Sequence, residues 1–236
     1  MPRTFVTALL VLACSVAVVA CSDEQSRSGR VPGDTLTIFS SLPLQGPHAD
    51  QAQSIVNAEK LALREAGGKV GDFKINFASA DDATAGGDQV GWDPDKTAEN
   101  ARKSVENTRT IAYIGDFDSG ATAVSLPITN EAGFVQVTPA STAIGLTKNV
   151  KGAVEAGEPD KFYPSGQRTY ARIVPIDTIQ AAALVTLMKK DGCTKVALTN
   201  DKEVYGAGLG KAIEAAAQKE GLTIISNQGI DKQAPN

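Results

Sequence analysis

The sequence predicts an α/β protein in which a mostly parallel sheet carries helices on both faces and is followed by the opening of a second lobe of the same kind. Three observations carry this reading. Short apolar runs recur along the chain, and each is followed by a longer stretch with helical spacing of its apolar residues. The helical stretches open at Asp, Ser or Pro and close at Gly, the punctuation expected of helix ends. Strand and helix patterns then alternate with regularity, which favours parallel pairing with crossover helices over hairpins.

Taken in order, Leu36 to Ser40 reads as the first strand and Ala52 to Ala66 as the first helix. Ile55, Val56, Leu61, Leu63 and Ala66 supply that helix with an apolar stripe, and Gly67-Gly68 stops it. Phe73 to Phe77 alternates strictly and reads as a strand with one apolar face. Asp93-Pro94 opens the next helix, because Asp caps and Pro suits the first turn, with Ala98, Ala101 and Val105 on its inner side. Thr110 to Ile114 is a strand, Ser119 to Ala132 a helix closed by Gly133, and Phe134 to Val137 another strand. The polar segment from Asn149 to Thr169, rich in Gly, Pro and Glu, reads as a surface excursion of unreadable function. Tyr170 to Pro175 then leads to Asp177 or Thr178 as the cap of a helix running through Lys190. A second set opens with strand Lys195 to Thr199, helix Gly206 to Lys219 and strand Leu222 to Ile225. Two strands bury little and leave an open edge, so an incomplete second lobe, from a fragment or an incomplete gene, is the expectation.

The N-terminus is organised for export. A basic leader with Arg3 precedes an apolar run from Phe5 to Ala20, and polar Ser22-Asp23-Glu24-Gln25 follows Cys21 at once. The run falls short of the roughly 20 apolar residues that a bilayer core needs. Val18-Val19-Ala20-Cys21 resembles a bacterial lipobox, which implies a signal peptide over 1–21, acylation of Cys21 and a tether over 22–34. The mature chain would then be exported and sit on the outer face of the bacterial cell membrane, held through the lipid on Cys21, or in the periplasm. Of three cysteines, Cys14 leaves with the leader and Cys193 remains alone, so no internal disulfide forms and Cys193 reads as a buried structural thiol.

Composition narrows the function. The formal net charge is −4 and no basic patch stands out, which argues against nucleic acid. His48, the single histidine, has no partners at metal-ligand spacing and reads as an exposed loop residue, so no metal site is expected. The chain lacks a G-x-S-x-G elbow and a Walker-type loop, and Gly206-x-Gly208-x-Gly210 does not follow the first strand as a dinucleotide fingerprint does. No cofactor and no enzymatic activity are expected. Asp81, Asp82, Asp116 and Asp118 could form an acid/base pair, but caps and cleft-lining groups are the plainer reading.

Several separated segments together resemble one family. Ser41 to Pro47 resembles its first strand-to-helix loop, and Asp81-Asp82 the acidic pair ending its second strand. Ile114 to Thr122 resembles its "IGPxxSGAT" loop, with Asp116 where that pattern has proline; Thr138 to Thr142 resembles "TPxAT", and Tyr205 to Leu209 "YGxGL". The order and spacing of these segments resemble type I periplasmic binding proteins, specifically the receptors of branched-chain amino acid ABC importers. The resemblance implies two Rossmann-like parallel-sheet lobes, the first over 35–175 and the second opening at 176–236. It also implies a ligand held by Ser119, Gly120, Ala140, Ser141 and Thr142, with Tyr205 closing from the second lobe. Ser119 lies where a strand loop enters a helix N-terminus, a place suited to a carboxylate. Helix capping, an ordinary Ser/Thr turn and simple packing remain open as the roles of Ser119, of 140–142 and of Tyr205 respectively. Two departures weaken a leucine-like specificity. Gln51 stands where many members carry an aromatic residue, with His48 nearby, and the family's ammonium-pairing acid belongs to a later part of the second lobe that this sequence does not contain. The ligand is expected to be an amino acid, an amide or a small carboxylate, and the partner an ABC permease. A sensory module signalling to a membrane kinase, an amidohydrolase on the same scaffold and an inactive lobe are the alternatives.

Overall fold

The structure is a computed structural model that describes residues 31, 33–84 and 91–230. The leader, Cys21 with its acylation, most of the tether and the terminal Gln233 to Asn236 lie outside the described residues. All described residues belong to one compact unit, Val31–Asn236.

The first sheet is built from β1 (Thr35–Leu42), β2 (Lys69–Val70), β3 (Phe73–Asp81), β4 (Thr110–Ile114), β5 (Val135–Thr138) and β6 (Tyr170–Arg172), in the order β2-β3-β1-β4-β5-β6. Every pairing is parallel except β2 with β3. Three helices connect these strands: α1 (Ala49–Glu65), α2 (Pro94–Glu106) and α3 (Ser119–Glu131). The chain passes from β1 to β3 on one side and returns to β4 on the other, so the strand order switches between β1 and β4. In open α/β sheets a ligand crevice forms beyond the carboxyl ends of the strands at such a switch. A second sheet of β7 (Lys195–Asn200) and β8 (Thr223–Gly229), also parallel, packs with α4 (Asp177–Lys190) and α5 (Val204–Lys219).

Local chemistry accounts for the elements. The Asp93 carboxylate accepts the Lys96 N–H at 2.9 Å and Pro94 follows it, so α2 starts where its cap and proline require. Phe39 and Tyr113 face each other across β1 and β4, with ring centroids 5.9 Å apart in a stacked pair over Ala101 of α2. Leu42, Ala52 and Val56 close the core between β1 and α1. Fully burying a leucine or valine side chain is worth about 1.5–3 kcal/mol, so these few contacts hold the strand ends that carry the crevice loops.

The structure departs from the sequence reading in several places. The α1 stripe drifts: Ala52 and Val56 are buried, whereas Leu61 and Ala66 are exposed. The inner face of α2 is largely polar, with Thr97, Asn100 and Ser104 buried beside Ala101. Cys193 is exposed, because it lies in the turn before β7 and not in the strand. Ile176, not Asp177 or Thr178, precedes α4 as its cap, and Asp177 lies inside the first turn. The 149–169 segment is no mere excursion. Phe162 and Tyr163 pack with Leu126, Leu146 and Tyr170 in the first-lobe core, while Ala153 joins Val185, Ile213 and Leu222 in the second. Tyr163 Oη donates to Leu146 O at 2.6 Å, and the Asn130 amide reaches Gln167 O and Thr169 Oγ1, both at 2.8 Å. The segment therefore ties the two sheets together.

Candidate functional site

The site grows from the carboxyl ends of β1, β4 and β5. Gly115, directly after β4, has φ +148°, and a Cβ there would stand 2.6 Å from the Ser41 carbonyl oxygen. Only glycine lets the two strand ends approach this closely. Asp116 follows, fully buried, with its carboxylate accepting from Tyr113 Oη at 2.8 Å and from Ser125 Oγ. Thr138 Oγ1 donates to Asp116 O at 2.6 Å and accepts the N–H groups of Ala140 and Ser141 at 3.2 and 2.9 Å. The Ser141 hydroxyl lies 2.7 Å from Thr122 Oγ1 and 3.0 Å from Asp116 O. These bonds lock the loops after β4 and β5 into one rigid platform.

The resemblance-based residues fall on that platform in different ways. Ser119 and Gly120 begin α3, both buried, and the N–H groups of a helix's first turn have no intrahelical acceptor. Asp118 occupies the cap position without a capping side-chain bond, so Ser119 is not the cap. Ser119 Oγ accepts the Ala143 N–H at 3.3 Å, which brings the third loop against the helix start and leaves the hydroxyl proton free to donate. Ala140 and Thr142 are half-buried beside it, whereas Ser141 is turned inward, 1% exposed, with its hydroxyl engaged in the platform. Tyr205 sits in the first turn of α5, 39% exposed, and its hydroxyl accepts from Gln180 Nε2 at 3.1 Å within the second lobe. Among the described residues, no hydrogen bond joins Tyr205 to the first-lobe loops. His48 is held more firmly than an exposed loop residue: its Nε2 lies 3.7 Å from Asp118 Oδ1 and its ring packs on Phe117 at 5.1 Å.

One group in the site carries no function in the sequence reading. Asp177, at the start of α4, is 1% exposed, and its N–H donates to Thr142 O at 3.1 Å. Among the described residues neither carboxyl oxygen makes a well-formed hydrogen bond. Burial pushes this carboxyl above the ordinary aspartate range, while the neighbouring Thr142 hydroxyl and Arg172 guanidinium pull it back. The Arg172 terminal nitrogens donate to Ala143 O, both at 3.1 Å, and to Thr147 Oγ1 at 3.0 Å, while its Nε makes no hydrogen bond among the described residues and its charge acts on Asp177 from nearby. A charge-bearing group buried with unmet acceptors costs free energy unless something pairs with it. Its sequence signal, an acid opening a largely apolar helix, was indistinguishable from a cap.

A third buried carboxyl follows β3. Asp82, the residue directly after β3, is fully buried and accepts from Ser41 Oγ at 3.4 Å. Desolvation raises it to about 9, with further push from Asp116, Asp118 and Asp81, and desolvation raises Asp116 to about 7 against hydrogen bonds from Ser125, Tyr113 and Ser41. The pair therefore holds at least one proton at neutral pH. Glu59 of α1, bonded by Ser40, is likewise raised to about 7 by burial. All three bind protons in the folded state that the unfolded chain has released. Their contribution is intact below about pH 4 and is lost as pH rises through about 7 and about 9, so stability falls across that window. Urea unfolding at pH 5, 7 and 9 should show this decline, and Asp116→Asn should flatten it; a stability that rises over the same range would contradict the buried pair.

The platform gathers helix N–H groups and hydroxyls at the strand switch, with a second α/β unit following it in the chain. The chain belongs to the periplasmic binding protein family: the family model matches residues 35–234. Its relatives place it among the type I members of the branched-chain amino acid group. It is 30% identical over 184 residues to an amino acid binding protein of Pseudomonas aeruginosa, covering 78% of this chain and 41% of that protein. It is 29% identical to a Leu/Ile/Val-binding protein of Rhizobium johnstonii, covering 95% of this chain and 52% of that one. The chain thus spans about half the length of the curated relatives it matches. In fold it resembles a leucine binding protein of Thermotoga maritima, with TM-score 0.68 and 19% identity over 85% of this chain and 50% of that one. A solute binding protein of Rhodopseudomonas palustris in complex with 4-hydroxybenzoate gives 0.69 and 16% over 86% and 49%. The relatives named here are all binding proteins.

Proposed function

We propose that this chain serves as an extracytoplasmic receptor that captures a small α-amino acid for an ABC importer, lipid-anchored through Cys21. The observation that carries the reading is Asp177, a buried carboxyl with unmet acceptors beside Thr142. A zwitterion satisfies both ends of the platform. Its carboxylate takes the first N–H groups of α3 and the hydroxyls of Ser119 and Thr142, helped by the positive end of the helix dipole. Its ammonium takes the Asp177 carboxylate and the Ala140 carbonyl. Asp177 thereby supplies the acid that the resemblance assigns to a later part of the second lobe. Closure follows the family mechanism: the ligand favours the arrangement in which the second lobe, with Tyr205 at its cleft edge, comes down over the platform. The closed form is what the permease reads.

Calorimetry with a panel of L-amino acids, amides and small carboxylates tests the reading. An L-amino acid should bind at micromolar levels, and Ser119→Ala should weaken it by about tenfold or more, since a hydrogen bond to a charged group contributes about 1.5–3 kcal/mol. Melting of the same variant separates this from the lost Ala143 N–H bond, which is worth about 1 kcal/mol. Absence of binding by every member of the panel would contradict the receptor reading. Intact mass of the membrane-extracted protein, compared with Cys21→Ser, checks the anchor: a diacylglyceryl increment lost in the variant is expected.

A further inference from the structure

The turn that follows the 140–142 loop belongs to both lobes. Ile144–Leu146 is a single 3₁₀ turn with every residue buried. Ile144 packs with Ala153, Val185, Ile213 and Leu222 in the core beside β7 and β8, whereas Leu146 packs with Leu126, Phe162 and Tyr170 in the core of the first lobe. One turn therefore seats its two large side chains in different cores. Its backbone is tied to the site as well, because the Ala143 N–H just before it donates to Ser119 Oγ at 3.3 Å.

Residues 150–163 repeat the arrangement as a strap. Val150, Ala153 and Val154 pack in the second-lobe core, and Phe162 and Tyr163 in the first. The spacer between these anchors, 155–161, is knit by its own hydrogen bonds. The Glu155 N–H donates to Glu158 Oε2 at 2.9 Å, the Lys161 N–H to Gly157 O at 2.9 Å and the Phe162 N–H to Pro159 O at 3.0 Å. Glu158 pairs with Lys161 at 3.0 Å and lies against Gly145 of the turn, where a Cβ would collide with its carboxylate. Glu155 pairs with Lys211 of α5, and Tyr163 Oη holds Leu146 O. The strap is thus fastened to the turn and to both lobes, with a spacer that has no slack.

We propose that the turn and the strap form a clamp that keeps the second lobe docked on the first in the ligand-free protein, so that ligand exchange proceeds by small local movement and not by wide opening. The inference rests on the receptor reading above and limits the amplitude of the closure described there. Swinging the lobes apart would pull Ile144 and Ala153, with half-buried Val150 and Val154, out of the second-lobe core. The alternative is to pull Leu146, Phe162 and Tyr163 out of the first. Exposing aliphatic side chains on this scale holds the separated form to below about one molecule in a hundred. A cavity of about 270 Å³ remains between α3, the turn, the strap and α5, lined by Ala123, Ile144, Glu158, Phe162, Val204 and Lys211. It leaves the clamp room to tighten locally when a ligand orders the 140–142 loop.

Spin-label distances across the two lobes of the full chain test the clamp. With Cys14→Ser and Cys21→Ser, the exposed Cys193 before β7 carries one label, and Ala58→Cys on the exposed side of α1 carries the other. The ligand-free protein should give one narrow distance distribution, moved by no more than about 2 Å with L-leucine. Ile144→Ala, and separately a Gly/Ser insert of about five residues after Gly157, should each add a longer-distance population of about a tenth of the molecules, and the two together should make it dominant. The insert leaves every core residue in place, so it decides alone if melting shows that Ile144→Ala does not fold. A broad ligand-free distribution, a larger shift with L-leucine, or variants that match the parent would overturn the clamp. Calorimetry with L-leucine on the same samples separates the two claims: no heat beside a narrow ligand-free distance would support the clamp and count against leucine capture.

Discussion

Asp177→Asn is expected to cut affinity for an α-amino acid by about ten- to a hundredfold while leaving the protein as stable as before, or more so. The two effects have opposite signs because they arise from different states. In the free protein the carboxyl is buried, its oxygens make no well-formed hydrogen bond among the described residues, and its acidity is already weakened by desolvation. An amide of the same shape removes that cost, and Arg172 keeps its bonds to Ala143 O and Thr147 Oγ1. In the proposed complex the carboxylate would face an ammonium, and a charge-assisted hydrogen bond of this kind contributes about 1.5–3 kcal/mol. The pH dependence follows the same sign. Since Asp177 is raised, acidification protonates it before an ordinary aspartate, so affinity should fall on the acid side earlier than titration of the ligand carboxylate alone would require. Calorimetry and thermal melting of the variant check the pair of effects. Unchanged affinity would remove Asp177 from the site, and a large loss of stability would make it structural.

Gly115→Ala is expected to destabilise the first lobe by about 3 kcal/mol or more. Two costs combine: a non-glycine residue in sparsely populated backbone costs about 1–3 kcal/mol, and forcing a methyl into a packed site costs a similar amount. Here φ is +148° and the added methyl would sit 2.6 Å from Ser41 O and 3.0 Å from the Tyr113 ring. Neither neighbour yields easily, because Ser41 belongs to β1 and Tyr113 is fully buried. The expected loss is a large share of the 5–15 kcal/mol typical of a domain. Urea unfolding measures it directly, and a cost below about 1 kcal/mol would mean that the strand ends are looser than described. The same variant should also weaken ligand binding, since Asp116 and Thr138 position the 140–142 loop from this point.

The regular elements were legible because local chemistry and tertiary packing agree there. Thr110 to Ile114 is apolar and β-rich between turn residues, and Asp93-Pro94 announces α2 with a cap that the structure realises. Periodicity failed where a polar inner face is satisfied internally: Asn100 bonds Ser41 Oγ and Asp81 O, and Ser104 bonds Ala101 O, so α2 buries polar residues that a hydropathy pattern assigns to solvent. The 149–169 segment misled for a related reason. Its composition is polar, yet Ala153, Phe162 and Tyr163 alone are enough to anchor it in two cores. Of the site, the motif-bearing loops could be read but the environment could not. Ser119 and Ser141 look alike in the sequence, and only the fold turns Ser141 inward against Thr122 while leaving Ser119 at the helix start. The surroundings of Asp177 were illegible because they depend on a neighbour distant in the chain, Thr142.

Backbone amide NMR of the labelled chain, titrated with L-leucine and L-phenylalanine, tests the central claim most directly. Saturable shifts concentrated at Ser119, Gly120, Ala121 and Thr142 are expected. Shifts confined to other surfaces, or none at millimolar ligand, would contradict a zwitterion bound at the start of α3.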